Sequence, residues 1–171
     1  MKELFILRHA KSSWDNADIA DFDRPLNQRG LKAAPYIGQS LRNHFVQPEV
    51  ILSSPAKRAK HTSILVKQVG ELETDITFDD RIYEASPSTL LRVVTEIADQ
   101  AEKALLVGHN PGLEGLLGVL TGETQRMPTA TMAKILLDVD SWSEITPGCG
   151  YMQALIRPPR EEAAKEQTAQ N

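Results

Sequence analysis

Short apolar runs alternate along this chain with segments of helical period, and that alternation leaves few folds open. Leu4-Phe5-Ile6-Leu7 is too short for a helix and apolar at every position, as a strand buried on both faces must be. Val50-Ile51-Leu52 and Ala104-Leu105-Leu106-Val107 read the same way. Between them the spacing turns helical. Residues 27–45 put Leu31, Ala34, Ile37, Leu41 and Phe45 on one face behind Asn27 as a cap. Pro35 removes one backbone donor there and predicts a kink or a late start. Further helices are predicted from Pro55 to Gly70, from Pro87 through Ile97, and from Pro111 through Leu120 with Gly122 beyond its end. Such alternation predicts an α/β fold with a largely parallel sheet. Thr131–Val139 and Tyr151–Ile156 add two strands with no room for a helix between them, hence an adjacent antiparallel pair. Ile76-Thr77-Phe78 adds a short edge strand.

A chain of 171 residues is the size of one domain, expected over 1–157. From Pro158 to Asn171 there is no large apolar residue, so 158–171 is expected to be a mobile polar tail. Nineteen Lys and Arg against 23 Asp and Glu leave a net charge of −4. That balance argues against nucleic acid or an acidic membrane as a general partner, while leaving room for a local basic pocket. The longest uncharged stretch, Ile145–Ile156, contains Pro147, Gly148 and Gly150 and is too short to span a bilayer. Met1-Lys2-Glu3 leads straight into an apolar strand without a signal-like apolar region, so a cytoplasmic location is expected. Cys149 has no second cysteine to pair with and reads as a small core residue.

The three Pro-initiated helices share a device: Ser54-Pro55, Ser86-Pro87 and Asn110-Pro111 each put a capping side chain before a proline at the first helical position. In an open α/β sheet, ligands bind where strands end and helices begin, because unpaired N–H groups and the helix dipole attract anions. The residues at those places carry chemistry. The first strand ends in Arg8-His9, the second leads through Ser53-Ser54-Pro55 to Arg58, and the fourth ends in Gly108-His109. A strand-end histidine is commonly a hydrogen-bonded surface residue, and an early-helix arginine a solvated one. Four such residues at successive strand ends favour an anion site instead. Arginine offers a planar fork of donors matched to phosphate oxygens. A neutral imidazole can attack phosphorus, and a protonated one can donate to its oxygens. The competing idea, metal-assisted hydrolysis, finds no support in the spacing of His9, His44, His61 and His109.

Leu7-Arg8-His9-Ala10-Lys11-Ser12-Ser13-Trp14 resembles the Arg-His-Gly opening of the histidine phosphatase superfamily, the phosphoglycerate mutase-like fold. The resemblance continues in order through Pro25-Leu26-Asn27-Gln28-Arg29-Gly30, Ser53-Ser54-Pro55-Ala56-Lys57-Arg58-Ala59 with Thr62, and Val107-Gly108-His109-Asn110-Pro111-Gly112. Met127-Pro128-Thr129-Ala130 resembles a later block. The short length, the Ala-Lys-Ser-Ser-Trp run and Asp23-Arg24-Pro25-Leu26 look most like the SixA-type branch, whose members are phosphohistidine phosphatases. The resemblance implies a three-layer α/β/α sandwich and a metal-independent phosphatase with no cofactor. It implies His9 as the nucleophile, Arg8, Arg58 and His109 as the pocket for phosphoryl oxygens, Glu84 at the place of a general acid, and Ser12 near the phosphate. For Glu84 a plain surface carboxylate is the competing reading. Ala10 departs from the usual glycine. Asp15 stands where larger members carry an asparagine, and its charge argues against phosphate contact. Arg24 is expected to pair with a nearby Asp. The expected substrate is phosphohistidine on a protein, such as a histidine-containing phosphotransfer domain. Small phosphomonoesters are the alternative, and a non-catalytic phosphate-binding adaptor is the third reading.

Overall fold

A computed structural model describes residues 1–160. Six strands form one sheet: β1 (Lys2–Arg8), β2 (Val50–Ser53), β3 (Ile76–Phe78), β4 (Lys103–Gly108), β5 (Met132–Leu137) and β6 (Gly150–Ile156), in the order β3-β2-β4-β1-β5-β6. The β3, β2, β4 and β1 strands run parallel, β5 is antiparallel to β1, and β6 is antiparallel to β5. Four helices cover the faces: α1 (Gln28–Asn43), α2 (Lys57–Gly70), α3 (Pro87–Thr95) and α4 (Gly112–Thr121). The β5–β6 pairing and the β3 edge strand are those expected from the sequence.

Side-chain alternation along β1 divides the core in two. Leu4 and Ile6 face one side, where they join Leu90 and Val93 of α3 and Leu113, Leu116 and Leu117 of α4. Phe5 and Leu7 face the other, with Ala34, Ile37 and Leu41 of α1 and Ala59 and Val66 of α2. Three layers follow from that alternation: helix pair, sheet, helix pair. Among the described residues no helix is long and apolar enough to cross a membrane. Of the expected tail, 158–160 lie outside any helix or strand, and 161–171 lie outside the described residues.

Several local expectations are corrected. In α1 the buried stripe is Gly30, Ala34, Ile37, Gly38 and Leu41, whereas Leu31 is exposed. The helix lies so close to α2 that a Cβ at Gly38 would come within 2.8 Å of the Val66 carbonyl oxygen; small residues therefore carry the contact, and Leu31 is turned off it. Phe45 lies past the helix end, exposed, with φ at 56°. Asn27 caps α1 as expected, accepting from the Gly30 N–H, and the helix runs through Pro35 without a late start. Of the three Pro-preceding caps only Ser86 caps its helix, accepting from the Thr89 N–H. The α2 helix begins at Lys57 and α4 at Gly112, both without a side-chain cap. Ser54 and Asn110 have other partners, and those partners lie at the site.

Candidate active site

Parallel register builds the floor of the site. Arg8 pairs with Gly108 across β1 and β4, and the His9 N–H donates to the Gly108 carbonyl at 3.0 Å. The next residue on each strand is a histidine, so the two rings meet with centroids 5.0 Å apart. On the far side of β4, Ser53 pairs with Val107, which brings Ser54 beside His109: its Oγ lies 2.7 Å from His109 Nε2. The first turn of α2 then supplies Arg58. Thr62, one turn further, donates to the Arg58 carbonyl at 2.7 Å and accepts from the Ala10 N–H at 3.0 Å, tying the end of β1 to α2. Ala10 is fully buried here and is not among the residues with positive φ, so its Cβ is accommodated without the backbone freedom of glycine.

Arg8, His9, Arg58 and His109 line one cavity of about 170 Å³, together with Ser12 and Arg24. His9 is 6% exposed, and its Nδ1 lies 2.7 Å from the Ala10 carbonyl oxygen. A carbonyl can only accept, so Nδ1 carries the proton and Nε2 keeps its lone pair. Burial, with smaller contributions from His109, Arg58 and Arg8, pushes the His9 pKa down to about 3. Burial and then Arg58 likewise push His109 down to about 4. Both rings are therefore neutral at physiological pH in the free protein. His109 is thus not the protonated donor considered from sequence.

The cations are held from behind. Arg8 donates from Nη1 to the Met127 carbonyl at 3.2 Å. Arg58 donates from Nη1 to the Asp21 carbonyl at 2.6 Å and from Nη2 to its Oδ2 at 3.1 Å. The Nε atoms of both arginines and Nδ1 of His109 are buried without a partner. Unmet polar atoms of this kind are rare in a folded interior, and all three belong to residues lining one cavity.

The segment from Lys11 to Asn27 forms the rim. It is closed at its base by the Ser12–Leu26 bridge and by the Asn27 N–H donating to the Lys11 carbonyl at 3.0 Å. Gly30 is required beneath it, because a Cβ there would collide with that carbonyl. Within the rim, Arg24 is buried and donates from Nη1 to Ser12 Oγ at 2.7 Å and from Nε to Asp21 Oδ1 at 3.1 Å. The Arg24 pairing expected from sequence is thus with Asp21. Asp21 also accepts from the Tyr83 hydroxyl at 2.6 Å. That bond, followed by Arg58 and Arg24, holds the Asp21 carboxyl down at about 2; the same bond, with burial and the Asp21 charge, raises the Tyr83 hydroxyl to about 12. Tyr83 in turn packs edge-on against His109 and Phe22.

The structure thus brings Arg8, His9, Ser12, Arg58 and His109 together. It does not bring Glu84 in: that residue is exposed, with φ at 53°, and is not among the residues lining the cavity. Asp15 is exposed and outside the lining as well. Sequence reasoning missed Lys11, Trp14, Asn110 and Thr129 as lining residues, and Asp21 as the shared acceptor of Arg24, Arg58 and Tyr83. Only the Asp21–Arg24 spacing of three residues hinted at the last. Among the described residues no group of three or more His, Cys, Asp or Glu is arranged to hold a metal ion.

Comparison with known proteins follows the same lines. The sequence profile of the histidine phosphatase superfamily (branch 1) matches residues 4–103. An uncharacterised protein of Mycobacterium tuberculosis is 30% identical over 157 residues, covering 85% of this chain and 96% of its own length. Among solved structures, a protein of Agrobacterium tumefaciens provisionally assigned as the phosphohistidine phosphatase SixA superposes with a TM-score of 0.80 at 27% identity, over 92% of this chain and 98% of that one. The protein histidine phosphatase SixA complexed with tungstate superposes with a TM-score of 0.74 at 24% identity, over 91% and 97% of the two chains, a likeness of fold. A profile match across more than half of the sequence, carrying Arg8, His9 and Arg58 within it, means that this chain belongs to the histidine phosphatase superfamily.

Proposed function

We propose that this protein is a phosphatase that works through a phosphohistidine on His9, and that its substrate is phosphohistidine displayed on another protein. One observation carries the reaction. The His9 Nδ1–H bonded to the Ala10 carbonyl and the pKa near 3 leave an unprotonated Nε2 in a cavity lined by Arg8 and Arg58. In the first step Nε2 forms a bond to phosphorus as the bond from phosphorus to the leaving nitrogen breaks. The departing imidazole takes its proton from solvent on the ring nitrogen remote from phosphorus, so it leaves as a neutral ring without an acid from the protein. In the second step a water oxygen attacks phosphorus, the bond to Nε2 breaks, His9 regains its lone pair, and inorganic phosphate leaves with the remaining proton shared with solvent.

The surroundings suit that sequence. Charge grows on the phosphoryl oxygens during transfer, and donors fixed beforehand stabilise it without reorganising. Arg8 and Arg58, each with an Nε–H that has no partner within the protein, are assigned that role. Ser54 Oγ accepts from the Ala56 N–H at 3.2 Å, so its own proton is free for His109 Nε2, which leaves His109 Nδ1–H to donate to a phosphoryl oxygen. Ser12 acts through Arg24, whose guanidinium it receives. With Glu84 outside the lining, a leaving group that needs little protonation is favoured, and an imidazole nitrogen fits better than an alkoxide. The likeness to the Agrobacterium protein supports the same choice of substrate.

The test is brief incubation with a phosphohistidine peptide labelled on phosphorus, alongside a panel of phosphorylated metabolites. The expected result is label on His9 in an acid-labile, base-stable bond, with the peptide turned over faster than any metabolite. Label on a serine such as Ser12 would overturn the mechanism. Faster turnover of a metabolite would move the protein to the small-phosphomonoester reading. Binding of phosphate mimics without turnover of any substrate would make it an adaptor.

A further inference from the structure

The two tryptophans of this chain have opposite fates. Trp142 is fully buried, with its Nε1–H donated to the Ala101 carbonyl at 2.8 Å. Trp14 is 73% exposed and lines the cavity that contains His9. It is nevertheless held: the Arg24 guanidinium lies 3.5 Å from its ring centroid, and Arg24 is 8% exposed and bonded to Ser12 and Asp21. The indole therefore rests on a buried cation that cannot readily move, and most of its surface is open to the cavity and to solvent.

Its exposure at the cavity that holds His9 is what gives it a role. Phosphoryl transfer needs attacking and leaving atoms roughly in line across phosphorus. His9 is nearly buried at the floor, so the leaving group departs toward the exposed side, where Trp14 borders the cavity. We propose that Trp14 is a specificity-determining residue: its held, exposed ring stacks on the leaving group and selects phosphoryl compounds whose leaving group is itself a flat ring. Imidazole is one source of such a ring and a phenol is another. The inference rests on the proposed reaction, because it takes His9 as the attacking group.

The experiment compares wild type, Trp14→Ala and Trp14→Phe on three substrates: a phosphohistidine peptide, phenyl phosphate and glycerol phosphate, which has no ring. Aromatic stacking is worth roughly two- to tenfold in an equilibrium or rate ratio. Trp14→Ala is expected to lower kcat/KM by that factor on one or both ring substrates and to lower it less on glycerol phosphate, which has no ring to stack. Trp14→Phe is expected to restore most of the loss. The substrate that loses identifies which ring the site prefers. An equal loss on all three, or an unaltered preference between ring and glycerol substrates, overturns the proposal.

A second arm reads binding alone. Trp142 is buried, so a ligand-induced change in tryptophan emission reports on Trp14. Phenyl phosphate is expected to change that emission and to bind wild type more tightly than glycerol phosphate, by the same factor. Equal affinities for the two ligands overturn the stacking role. A wild type that turned over none of the substrates would defeat the proposed reaction, and this arm would still decide the role of Trp14.

Discussion

The floor and the rim of the cavity are built on different principles. Arg8, His9, Ser54 and His109 stand at the ends of β1, β2 and β4, where parallel register and backbone hydrogen bonds set them. Arg58 joins them from a helix packed on the same core. The rim is a loop tied at its base, held by polar contacts of Asp21 and Arg24, with Trp14, Ile19 and Phe22 exposed along it. A register set by a sheet cannot shift by a fraction of a residue, whereas a loop can change length and sequence without disturbing the core. The floor is thus suited to chemistry that tolerates no misplacement, and the rim to choosing what enters.

The largest effect is expected at the floor. His9→Ala removes the nitrogen proposed to attack phosphorus and leaves both arginines, so turnover should fall by more than about 10⁴-fold and covalent labelling should vanish. Tungstate or phosphate affinity should change much less. Substantial turnover in this variant would remove His9 from its role. Arg58→Ala should cut kcat/KM by roughly 10²- to 10³-fold, the usual loss for one fixed oxyanion donor, and should weaken tungstate binding as well. Intact tungstate affinity would mean that Arg58 does not touch the phosphoryl group.

At the rim, Asp21 accepts two hydrogen bonds from Arg58 and is not among the residues lining the cavity, which gives it a positioning role. Asp21→Ala should lower kcat about tenfold, the scale of losing one or two charge-assisted hydrogen bonds, while phosphate affinity holds or tightens because a negative charge has gone. Asp21→Asn keeps acceptors for Arg58 and Tyr83 and should recover most of kcat. If Asp21→Asn is as slow as Asp21→Ala, the carboxylate matters through its charge and not through positioning.

Acid separates the two regions by a smaller margin. The pKa values of His9 and His109 in the folded protein, about 3 and about 4, lie below the ordinary 6.5. Protons therefore favour the unfolded chain. The contribution of these rings to stability is fully present above pH 6.5 and is lost as the pH falls toward 4. Denaturation midpoints should drop between pH 7 and pH 5, and by less in His9→Ala; equal drops would contradict the depressed pKa. Over the same range kcat/KM on phenyl phosphate should show no inflection from the nucleophile once the second ionisation of the substrate, about 6, is allowed for. The smallest effect is expected from Glu84→Gln. Phosphohistidine turnover should stay well within the roughly 10²-fold that a general acid contributes. A loss of that size would bring the carboxyl into the reaction.

Much of the floor is legible in the sequence. Apolar runs of three or four residues with no polar face and too short for a helix read as buried strands, so the pattern locates β1, β2 and β4 and makes Arg8, His9, Arg58 and His109 neighbours at one sheet edge. Those residues needed no side-chain geometry to be found, because strand order in a parallel sheet carries each strand end to the same edge. The caps misled for a related reason: Ser54 and Asn110 look like N-caps, but a hydroxyl or amide at that edge bonds to whatever lies closest. For Ser54 that is His109, and for Asn110 it is Glu114 and Met127.

What periodicity could not reach were the contacts made between segments far apart in sequence. Asp21 meets Arg58 and Tyr83 across 37 and 62 residues, and no spacing rule links them. Glu84 has the residue type of an acid, but its position depends on a turn whose backbone runs at φ 53° and leaves it exposed. Sequence alone determined the alternation of strands and helices, the strand ends and the residue types gathered there, because those follow from local pattern and the parallel sheet. Tertiary structure alone decided which nitrogen of His9 is free, how far the two imidazoles are stripped of their protons and where Trp14 stands. Those depend on burial and on distances of a few ångströms between loops that the chain brings together only when folded.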